Sequence, residues 1–398
     1  MPINLNIKKI FIGQKWMTIS LVAISAVLLL SIGYSVNLYL QNTALKATVS
    51  KNTITIQEIN KELTDIKSAD PYKTNTELKK QIDNIQKTFT HAVTIYEKLL
   101  DLENPPKEIK GLDTLFANIL VLLGKQDYIG AEKGLDEISS KIAAEQARIA
   151  ATSVAAIPKN VPVSTSVPNS GSYSKQQVAT DRGNFLVDII AGDLGSTRVI
   201  VDTASDSTCA NDCPVLPLAT YVARNGAYAG VNGSYFCPST YPTCAGKTNS
   251  FDLLLMNKNK TYFNSDNNVY STNPGVIFGG SYVRFVSAVS QWGRDTGIDS
   301  MLSNYPLLVS GGNITFGGND DPKQGSKGNR SFVANKGNTV YIGVAHNVTV
   351  AESAIVMKAM GMENALNLDS GGSTALWYGG YKAGPGRDLP NVILFIKK

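Results

Sequence analysis

Histidine is almost absent from this chain of 398 residues, which contains only His91 and His346. A Ser-His-Asp hydrolase would have to use His346 alone, and Ser373 lies in no Gly-x-Ser-x-Gly segment of the kind that presents a nucleophilic serine. Charged residues make up only 17% of the chain, and the net charge of +5 includes no dense Lys/Arg patch outside the N-terminus. These absences leave little support for a serine hydrolase or for nucleic-acid binding.

Cysteine is also scarce, with four residues in two close pairs: Cys209, Cys213, Cys237 and Cys244. An even count in an exported domain indicates two disulfides, most simply one within each close pair, although three connectivities are possible. Four thiolates can also hold zinc, but spacings of three and six intervening residues are irregular for a zinc ribbon. We therefore expect the disulfides Cys209–Cys213 and Cys237–Cys244.

Residues 17–40 contain no charged side chain and are numerous enough to cross a bilayer as a helix. Lys8, Lys9 and Lys15 precede them, so the positive-inside tendency predicts residues 1–16 in the cytoplasm and the rest outside. A cleaved signal peptide would share the basic start. However, the apolar run is longer than a typical signal core and lacks an Ala-x-Ala-like site before a polar mature start. We expect an uncleaved, single-pass transmembrane anchor.

Residues 41–150 are predicted to form a helical stalk or coiled-coil region. A short heptad seam with one asparagine follows the anchor, at Val49, Asn52, Ile56, Ile59, Leu63 and Ile66. This seam would either pair two chains or pack against neighbouring helices of its own chain. Apolar residues at helical spacing predict a second helix over Leu78–Leu100 that Pro105 and Pro106 terminate. Helices over Leu112–Leu123 and Tyr128–Ile149 are predicted to form a hairpin.

Residues 151–172 are rich in Ala, Ser, Val, Thr and Pro and predict an extended linker. Residues 173–398 instead contain short β-branched and aromatic runs cut by turn formers. We expect two helices, Leu218–Arg224 and Val350–Met360, and strands at Phe185–Ile190, Thr197–Asp202, Phe251–Met256, Val276–Phe278, Leu307–Val309, Ser331–Ala334, Thr339–Val344 and Val392–Ile396. This order predicts an α+β fold with a mixed sheet and a few packed helices.

The segment Asn364–Leu376 carries the leading candidate site. The apolar run Ala365–Leu368 has strand length and is followed by Asp369, then by Ser370-Gly371-Gly372-Ser373. Small side chains there allow a ligand to approach the backbone closely. Taken alone, the tetrapeptide is equally typical of an ordinary turn that Asp369 caps. A functional site at Asp369 is favoured only when other segments of the chain also place polar side chains at the ends of predicted strands.

Three further segments offer such side chains. Asn232 ends an apolar run in an Asn-Gly pair close to Cys237, although Asn-Gly alone is more typical of a hairpin turn. Arg330 and Arg387 adjoin glycine-containing loops, and the planar guanidinium matches phosphate oxygens, although most arginines are solvated at the surface. His346, with Glu352 nearby in sequence, is a second-rank candidate, since an isolated histidine is more often structural.

Together these segments resemble the phosphodiester glycosidase family. The family's Asn-Gly-x-x-Phe element is similar to Asn232, Gly233 and Phe236, its Asn-Leu-Asp-Gly-Gly-Gly-Ser element to Asn367–Ser373, and its late Arg and following Asn to Arg387 and Asn391. Ser370 stands where most members have the first of three glycines, a departure that bears on the detailed substrate more than on the reaction class. The resemblance spans about Arg182 to the C-terminus.

The resemblance implies hydrolysis of a sugar-1-phosphodiester on the sugar side, so that a phosphomonoester leaves. It implies that Asp369 is the base or nucleophile, and that Arg330 and Arg387 hold the phosphate. A second carboxylate is usual in glycoside hydrolysis, with Glu352 or Asp202 as possibilities. The full expected set is catalytic Asp369, Arg387, Asn232, His346 and Glu352, and substrate-binding Arg330, Asn367, Gly371, Gly372, Ser373, Gly233 and Asn391.

We therefore hypothesise a membrane-anchored extracytoplasmic glycosidase that acts on phosphodiester-linked sugars, such as N-acetylglucosamine phosphodiesters, of an exopolysaccharide or cell-wall polymer. The alternative is a non-catalytic carbohydrate-binding module on a helical stalk, which would need the amides and arginines but not a reactive carboxylate. No cofactor or metal is required, although the loop 319–321 has oxygen ligands that suit calcium. The heptad seam predicts a homo-oligomer as a further possibility.

Overall fold

A computed structural model describes residues 7–68, 70–102, 110–155, 160–266 and 271–398 of this chain. The chain divides into two compact units, residues 1–86 and 87–398.

The first unit consists of helix α1 (Ile7–Ser68) and the first part of helix α2 (Asp70–Leu100). Within the described residues, the segment Leu21–Ser68 of α1 is the one helix long and apolar enough to cross a membrane. Its apolar side chains are exposed, as are those of the predicted heptad seam. Pro71 lies in the first turn of α2, where the missing N–H group costs no helical hydrogen bond.

The second unit begins with a helical part built from the end of α2, helix α3 (Lys110–Gly124) and helix α4 (Tyr128–Ala155). These bounds confirm the three predicted helices. Ile95, Ile119, Leu135 and Ile138 meet in its apolar core. Asp127 caps the first turn of α4 by accepting a hydrogen bond from Gly130 N at 2.9 Å. Pro105 and Pro106, predicted to end the second helix, lie outside the described residues.

The rest of the second unit is rich in strands, which confirms the α+β class. Within the described part of this unit, the further α-helices are α5 (Leu218–Asn225), α6 (Pro322–Gly325) and α7 (Val350–Ala359). The strands of the described residues are β1 (Tyr173–Thr180), β2 (Gly183–Asp193), β3 (Thr197–Thr203), β4 (Ala229–Asn232), β5 (Leu255–Met256), β6 (Tyr262–Phe263), β7 (Gly275–Phe278), β8 (Val283–Val286), β9 (Ser300–Ser303), β10 (Leu307–Ser310), β11 (Asn313–Ile314), β12 (Gly328–Lys336), β13 (Thr339–Val348), β14 (Asn364–Ser370), β15 (Leu376–Tyr378), β16 (Tyr381–Ala383) and β17 (Asn391–Lys397).

These strands form three sheets. Their orders are β1-β2-β13-β12-β14-β10-β11, β16-β15-β4-β17-β3 and β6-β5-β9-β7-β8. Neighbouring strands within each sheet run antiparallel. The architecture is thus three antiparallel sheets with helices packed on them, where the sequence predicted a mixed sheet.

The alternation of side chains along the strands explains how the layers pack. Val333 of β12 and Leu366 of β14 point into a core shared with Val231 of β4 and Ile393 of β17, so the first two sheets pack together. Their neighbours along the same strands face the other way and pack against α7. The ends of β4, β12 and β14 therefore approach one another across this core.

One predicted strand is much shorter in the structure. Phe251–Met256 forms a strand only at Leu255–Met256, because Asn264 Nδ2 donates to Phe251 O at 2.8 Å and to Leu253 O at 3.1 Å. A side-chain amide thus satisfies carbonyls that a partner strand would otherwise bind.

The segment predicted as a linker, residues 151–172, is partly built into the fold. Helix α4 continues to Ala155. Beyond it, Gln177 N donates to Pro162 O and Ser164 N donates to Gln177 O, both at 2.9 Å. Residues 162–164 therefore run along β1, and residues 171–172 bond to Ala191 of β2, through backbone hydrogen bonds that composition alone does not reveal.

Candidate active site

Asp369 lies at the end of β14, where backbone contacts from β4 hold it. Its N–H group donates to Gly233 O at 2.9 Å, and its carbonyl accepts a hydrogen bond from Asn232 Nδ2 at 2.6 Å. Gly233 must be glycine here, because a Cβ at this position would overlap the Asn391 side chain and backbone. The end of β4 thus binds both the N–H group and the carbonyl of Asp369.

The Asp369 side chain is buried, with 9% of the residue exposed. Burial raises the pKa of this carboxyl to about 6, against the opposing effects of hydrogen bonds from Ser373 and from the Ser370 N–H group. The Ser370 N–H group lies 2.8 Å from Oδ1. The carboxyl therefore titrates close to neutral pH, as an acid-base or nucleophilic group would require.

Arg387 reaches the site from the loop between β16 and β17. Its N–H group donates to Gly372 O at 2.8 Å, and its guanidinium lies against the Cα of Gly372, where a Cβ would overlap it. Gly386 has a φ of 65° and packs against carbonyls of the 371–374 turn. The two glycines let the arginine loop lie directly on the turn that follows Asp369.

Arg330 enters the site from β12, where it pairs with Ser370 across the sheet. Its guanidinium is buried and donates to three backbone carbonyls, those of Val348 at 3.2 Å, Lys323 at 2.8 Å and Ser326 at 2.5 Å. Burial lowers its pKa from the ordinary arginine value, but guanidinium groups remain charged in proteins. Arg330 is thus a fixed cation close to Asp369.

Asp369, Arg330 and Arg387 line one cavity of about 580 Å³. Tyr235 and Tyr305 form part of its wall, with ring centroids 5.0 Å apart. Ser370 and Gly371 also line it, as do Lys98, Asp101, Leu102, Ser139, Ile142, Ala143 and Gln146 of the helical part. A cavity of this size suits a sugar phosphate and has both apolar and charged walls.

The three candidate asparagines lie within the walls, and none lines the cavity. The Asn232 side chain is fully buried, and its Oδ1 accepts hydrogen bonds from Ser331 Oγ at 2.7 Å and Ala375 N at 3.1 Å. Asn391 Oδ1 accepts from Ser234 N at 2.8 Å, and Asn367 Nδ2 donates to the Tyr235 phenol at 2.7 Å. These amides support the backbone and the ring that face the cavity.

His346 and Glu352 also lie outside the cavity lining. His346 Nε2 contacts Asp188 Oδ2 at 2.6 Å, and its Nδ1 contacts Asn329 Oδ1 at 3.0 Å. Although burial raises it, the pKa of Asp188 is lowered overall by hydrogen bonds from His346 and Tyr173. Glu352 completes a capping box with Thr349 at the start of α7 and pairs with Lys327 at 3.1 Å.

Asp202, considered as a second carboxylate, is held in an internal network. Arg224 Nε lies 2.8 Å and Asn225 Nδ2 lies 2.5 Å from its Oδ2. The carboxylates that line the cavity beside Asp369 are instead Asp101 and Asp321. Asp321 Oδ1 already accepts the Lys323 N–H group at 2.8 Å as the cap of α6.

Sequence reasoning missed Asp101, Tyr235 and Tyr305. Tyr235 stands inside the Asn-Gly-Ser-Tyr-Phe segment and was available from that motif. Asp101 had a weaker signal, because it and Glu97 are acidic residues at the C-terminal end of a helix, where the helix dipole disfavours negative charge. Such a placement indicates tertiary contacts, but not where they are.

The expected disulfides, Cys209–Cys213 and Cys237–Cys244, are both present. The second closes the loop that carries Tyr241 beside the cavity.

Among the described residues, one group brings three possible metal ligands within 4.8 Å of one another, namely His91, Glu132 and Asp136. His91 Nδ1 and Glu132 Oε2 lie 2.7 Å apart, so a hydrogen bond between α2 and α4 accounts for the closeness of these two side chains.

Residues 225–396 match the sequence model of the phosphodiester glycosidase family. A search of curated proteins finds no match. Solved structures with similarity include the zebrafish N-acetylglucosamine-1-phosphodiester alpha-N-acetylglucosaminidase catalytic domain, auto-inhibited by its pro-peptide, at 13% identity and a TM-score of 0.45, covering 58% of this chain and 87% of that one.

Two further structures are similar. A hypothetical protein from Synechocystis has 12% identity and a TM-score of 0.41, and the match covers 57% of this chain and 62%, less than two thirds, of that one. An exported protein from Burkholderia pseudomallei has 12% identity and a TM-score of 0.35, with 54% and 74% covered.

Proposed function

We propose that this chain, whose residues 225–396 match the phosphodiester glycosidase family, is a membrane-anchored extracytoplasmic hydrolase of sugar-1-phosphodiesters. The observation that carries this proposal is one cavity in which a buried carboxyl, with a pKa near neutrality, faces two guanidinium groups. The reaction needs two kinds of chemical group: a carboxylate that acts at the sugar and a pair of arginines that binds the phosphate.

In the proposed reaction, the bond between the anomeric carbon and the bridging oxygen breaks. Water supplies its hydroxyl group to the sugar and its proton to the solvent, and the phosphomonoester leaves as an anion. A phosphate monoester is a stable leaving group, so strong general-acid help is less important than in the hydrolysis of an ordinary glycoside. Asp369 acts at the anomeric carbon, either as the base that activates water or as the nucleophile.

Arg387 and Arg330 would hold the phosphate in different ways. Arg330 is immobilised by backbone carbonyls on three sides, so it is a preorganised cation that needs no rearrangement when charge develops on the leaving group. Arg387 is one-quarter exposed and stacks near the Tyr241 ring, so it can adapt to the leaving group. Gly371 and Ser370 offer small surfaces on which the sugar can lie.

We also propose where the protein is located and how it assembles. Helix α1 would serve as a signal anchor, and the two disulfides suit an oxidising, extracytoplasmic location. The exposed seam of α1 would favour pairing of two chains. An exopolysaccharide or cell-wall polymer with phosphodiester-linked sugars would then be the substrate within reach of an anchored enzyme.

The test is release of free sugar from an N-acetylglucosamine-1-phosphodiester by residues 70–398. We expect Asp369→Asn to lower the rate by about 10²- to 10⁴-fold, the usual contribution of a positioned acid-base or nucleophilic group. Asp206→Asn removes an exposed carboxylate of the same compact unit and serves as the matched control. A wild-type protein that binds the glycan without releasing sugar would instead be a carbohydrate-binding module.

A further inference from the structure

The end of helix α2 places two carboxylates against the cavity wall. Glu97 lies in the last turn of α2 and Asp101 just beyond it, four residues apart and on the same face. The negative end of the helix dipole lies here, so both charges are unfavourable for the isolated helix. Contacts with the glycosidase domain must offset this cost.

Glu97 anchors the helix to the loop closed by Cys237–Cys244. Its Oε1 accepts hydrogen bonds from Thr243 N at 3.2 Å and from the Thr243 hydroxyl. Lys323 Nζ lies 3.7 Å from its Oε2. Because Glu97 is buried in this contact, the helical part is a fixed wall of the cavity.

Asp101 continues this wall to the arginine proposed to bind phosphate. The Tyr241 phenol donates to Asp101 Oδ1, and Arg387 Nη2 lies 3.7 Å from the same oxygen. The Arg387 guanidinium also lies 5.3 Å from the Tyr241 ring centroid. A phosphate bound to Arg387 would thus lie within a few ångströms of the Asp101 carboxylate.

We propose that Asp101 is a specificity-determining residue that makes the cavity select a singly charged phosphodiester over a doubly charged phosphomonoester. This inference rests on the proposed function. A diester carries one negative charge, whereas a monoester carries nearly two above pH 7, since its second pKa is about 6. Repulsion by Asp101 acts on each charge, so it disfavours the monoester more. The same repulsion would expel the monoester after cleavage.

A different role for Asp101 would be to block Arg387 by occupying the phosphate position. The geometry favours selection, because Asp101 and the helical residues line the cavity and leave about 580 Å³ open beside them. The 3.7 Å separation from Nη2 is also longer than a hydrogen bond. Arg387 therefore keeps donors for a ligand.

The experiment measures binding without turnover, in the full chain carrying Asp369→Asn and purified in detergent. The probes are N-acetylglucosamine 1-(methyl phosphate), a monoanion, and N-acetylglucosamine 1-phosphate, a dianion at pH 8, titrated by calorimetry. We expect the diester to bind more tightly, and Asp101→Asn to reduce this preference by about tenfold, the size expected for one added charge a few ångströms away in a partly solvated site. Asparagine retains an acceptor for the Tyr241 phenol.

Two further variants control for folding and charge. Glu137→Gln removes an exposed charge of α4 outside the cavity lining and should leave the preference unchanged, and Asp101→Glu keeps the charge and should retain it. The proposal is overturned if Asp101→Asn strengthens binding of both ligands equally, as a blocking residue would, if it changes neither affinity, or if neither ligand binds. If the preference shifts as expected but the protein with Asp369 intact releases no sugar in the separate hydrolysis assay, the proposed function is refuted and the selection stands.

Discussion

At the scale of single residues, the burial of Asp369 predicts how the proposed activity would depend on pH. With its pKa raised to about 6 by burial, the carboxyl loses its proton as the pH rises through that value. A base or nucleophile must be unprotonated, so we expect kcat/KM to rise about tenfold per pH unit below 6 and to level off above it. A rate that falls as the pH rises through 6 would identify Asp369 as a general acid instead.

The same burial predicts that Asp369 weakens the fold when ionised. A carboxyl pKa raised from 3.8 to about 6 in the folded state stabilises the protein below pH 4, and this contribution is lost as the pH rises to 6. Asp369→Asn should therefore be more stable than wild type at pH 7, by up to roughly 3 kcal/mol. Urea unfolding at pH 4 and pH 7 measures the difference, which should shrink towards pH 4.

Substitution of Gly372 by alanine is expected to reduce activity with little loss of stability. In Gly372→Ala the new Cβ would overlap the end of the Arg387 side chain, which can move away because it is flexible. We expect KM for the phosphodiester to rise about tenfold as the phosphate contact is displaced, with unfolding changed by less than about 1 kcal/mol. Gly317→Ala is the control, since its Cβ would meet open space.

At the scale of elements, Asn232 ties three strands together. Its amide joins β4 to the Asp369 carbonyl of β14 and to Ser331 of β12. Asn232→Ala leaves these buried groups unpaired and should cost roughly 2–4 kcal/mol, whereas Ser331→Ala should cost about 1 kcal/mol. Chemical denaturation measures both. Unchanged stability with abolished turnover would assign the Asn232 amide to the substrate, as the sequence hypothesis had it.

Most strands could be predicted from sequence because their apolar residues lie on faces that the sheets bury. Residues 331–334 and 365–368 are apolar runs that β12 and β14 contain. Prediction was poorer where a distant side chain decides the backbone, as Asn264 does for Phe251–Met256. The roles of the candidate asparagines also depend on partners that are distant in sequence. The local sequence does not distinguish an asparagine whose side chain is buried within the cavity wall from one whose side chain faces the cavity.

At the scale of the whole molecule, the compact unit begins at Lys87 rather than at Tyr173. A fragment of residues 173–398 lacks the helical wall and leaves the surface around Thr243 and Lys323 without Glu97. We expect it to unfold at lower temperature than residues 70–398 and to lose most of its hydrolytic activity, measured by calorimetry and sugar release. Equal activity of both fragments would contradict a role for the wall.

The start of the compact unit at Lys87 could not be predicted from composition. The proline-containing segment 151–172 has the character of a linker, and the helices before it have an apolar core of their own. Their attachment depends on a few polar contacts between residues about 140 apart in sequence. Such contacts leave no periodic signal, so the sequence alone does not predict that these helices contact the strand-rich part of the unit.

The loop that receives Glu97 and Asp101 is closed by a covalent bond between Cys237 and Cys244. Under the proposed topology, that bond forms only after the chain has left the reducing cytoplasm. Sugar nucleotides, which the cell makes in the cytoplasm, carry the same kind of anomeric phosphate bond that this cavity would cleave. Tying the completion of one wall to oxidation would keep newly made enzyme from consuming the precursors of the cell's own polymers.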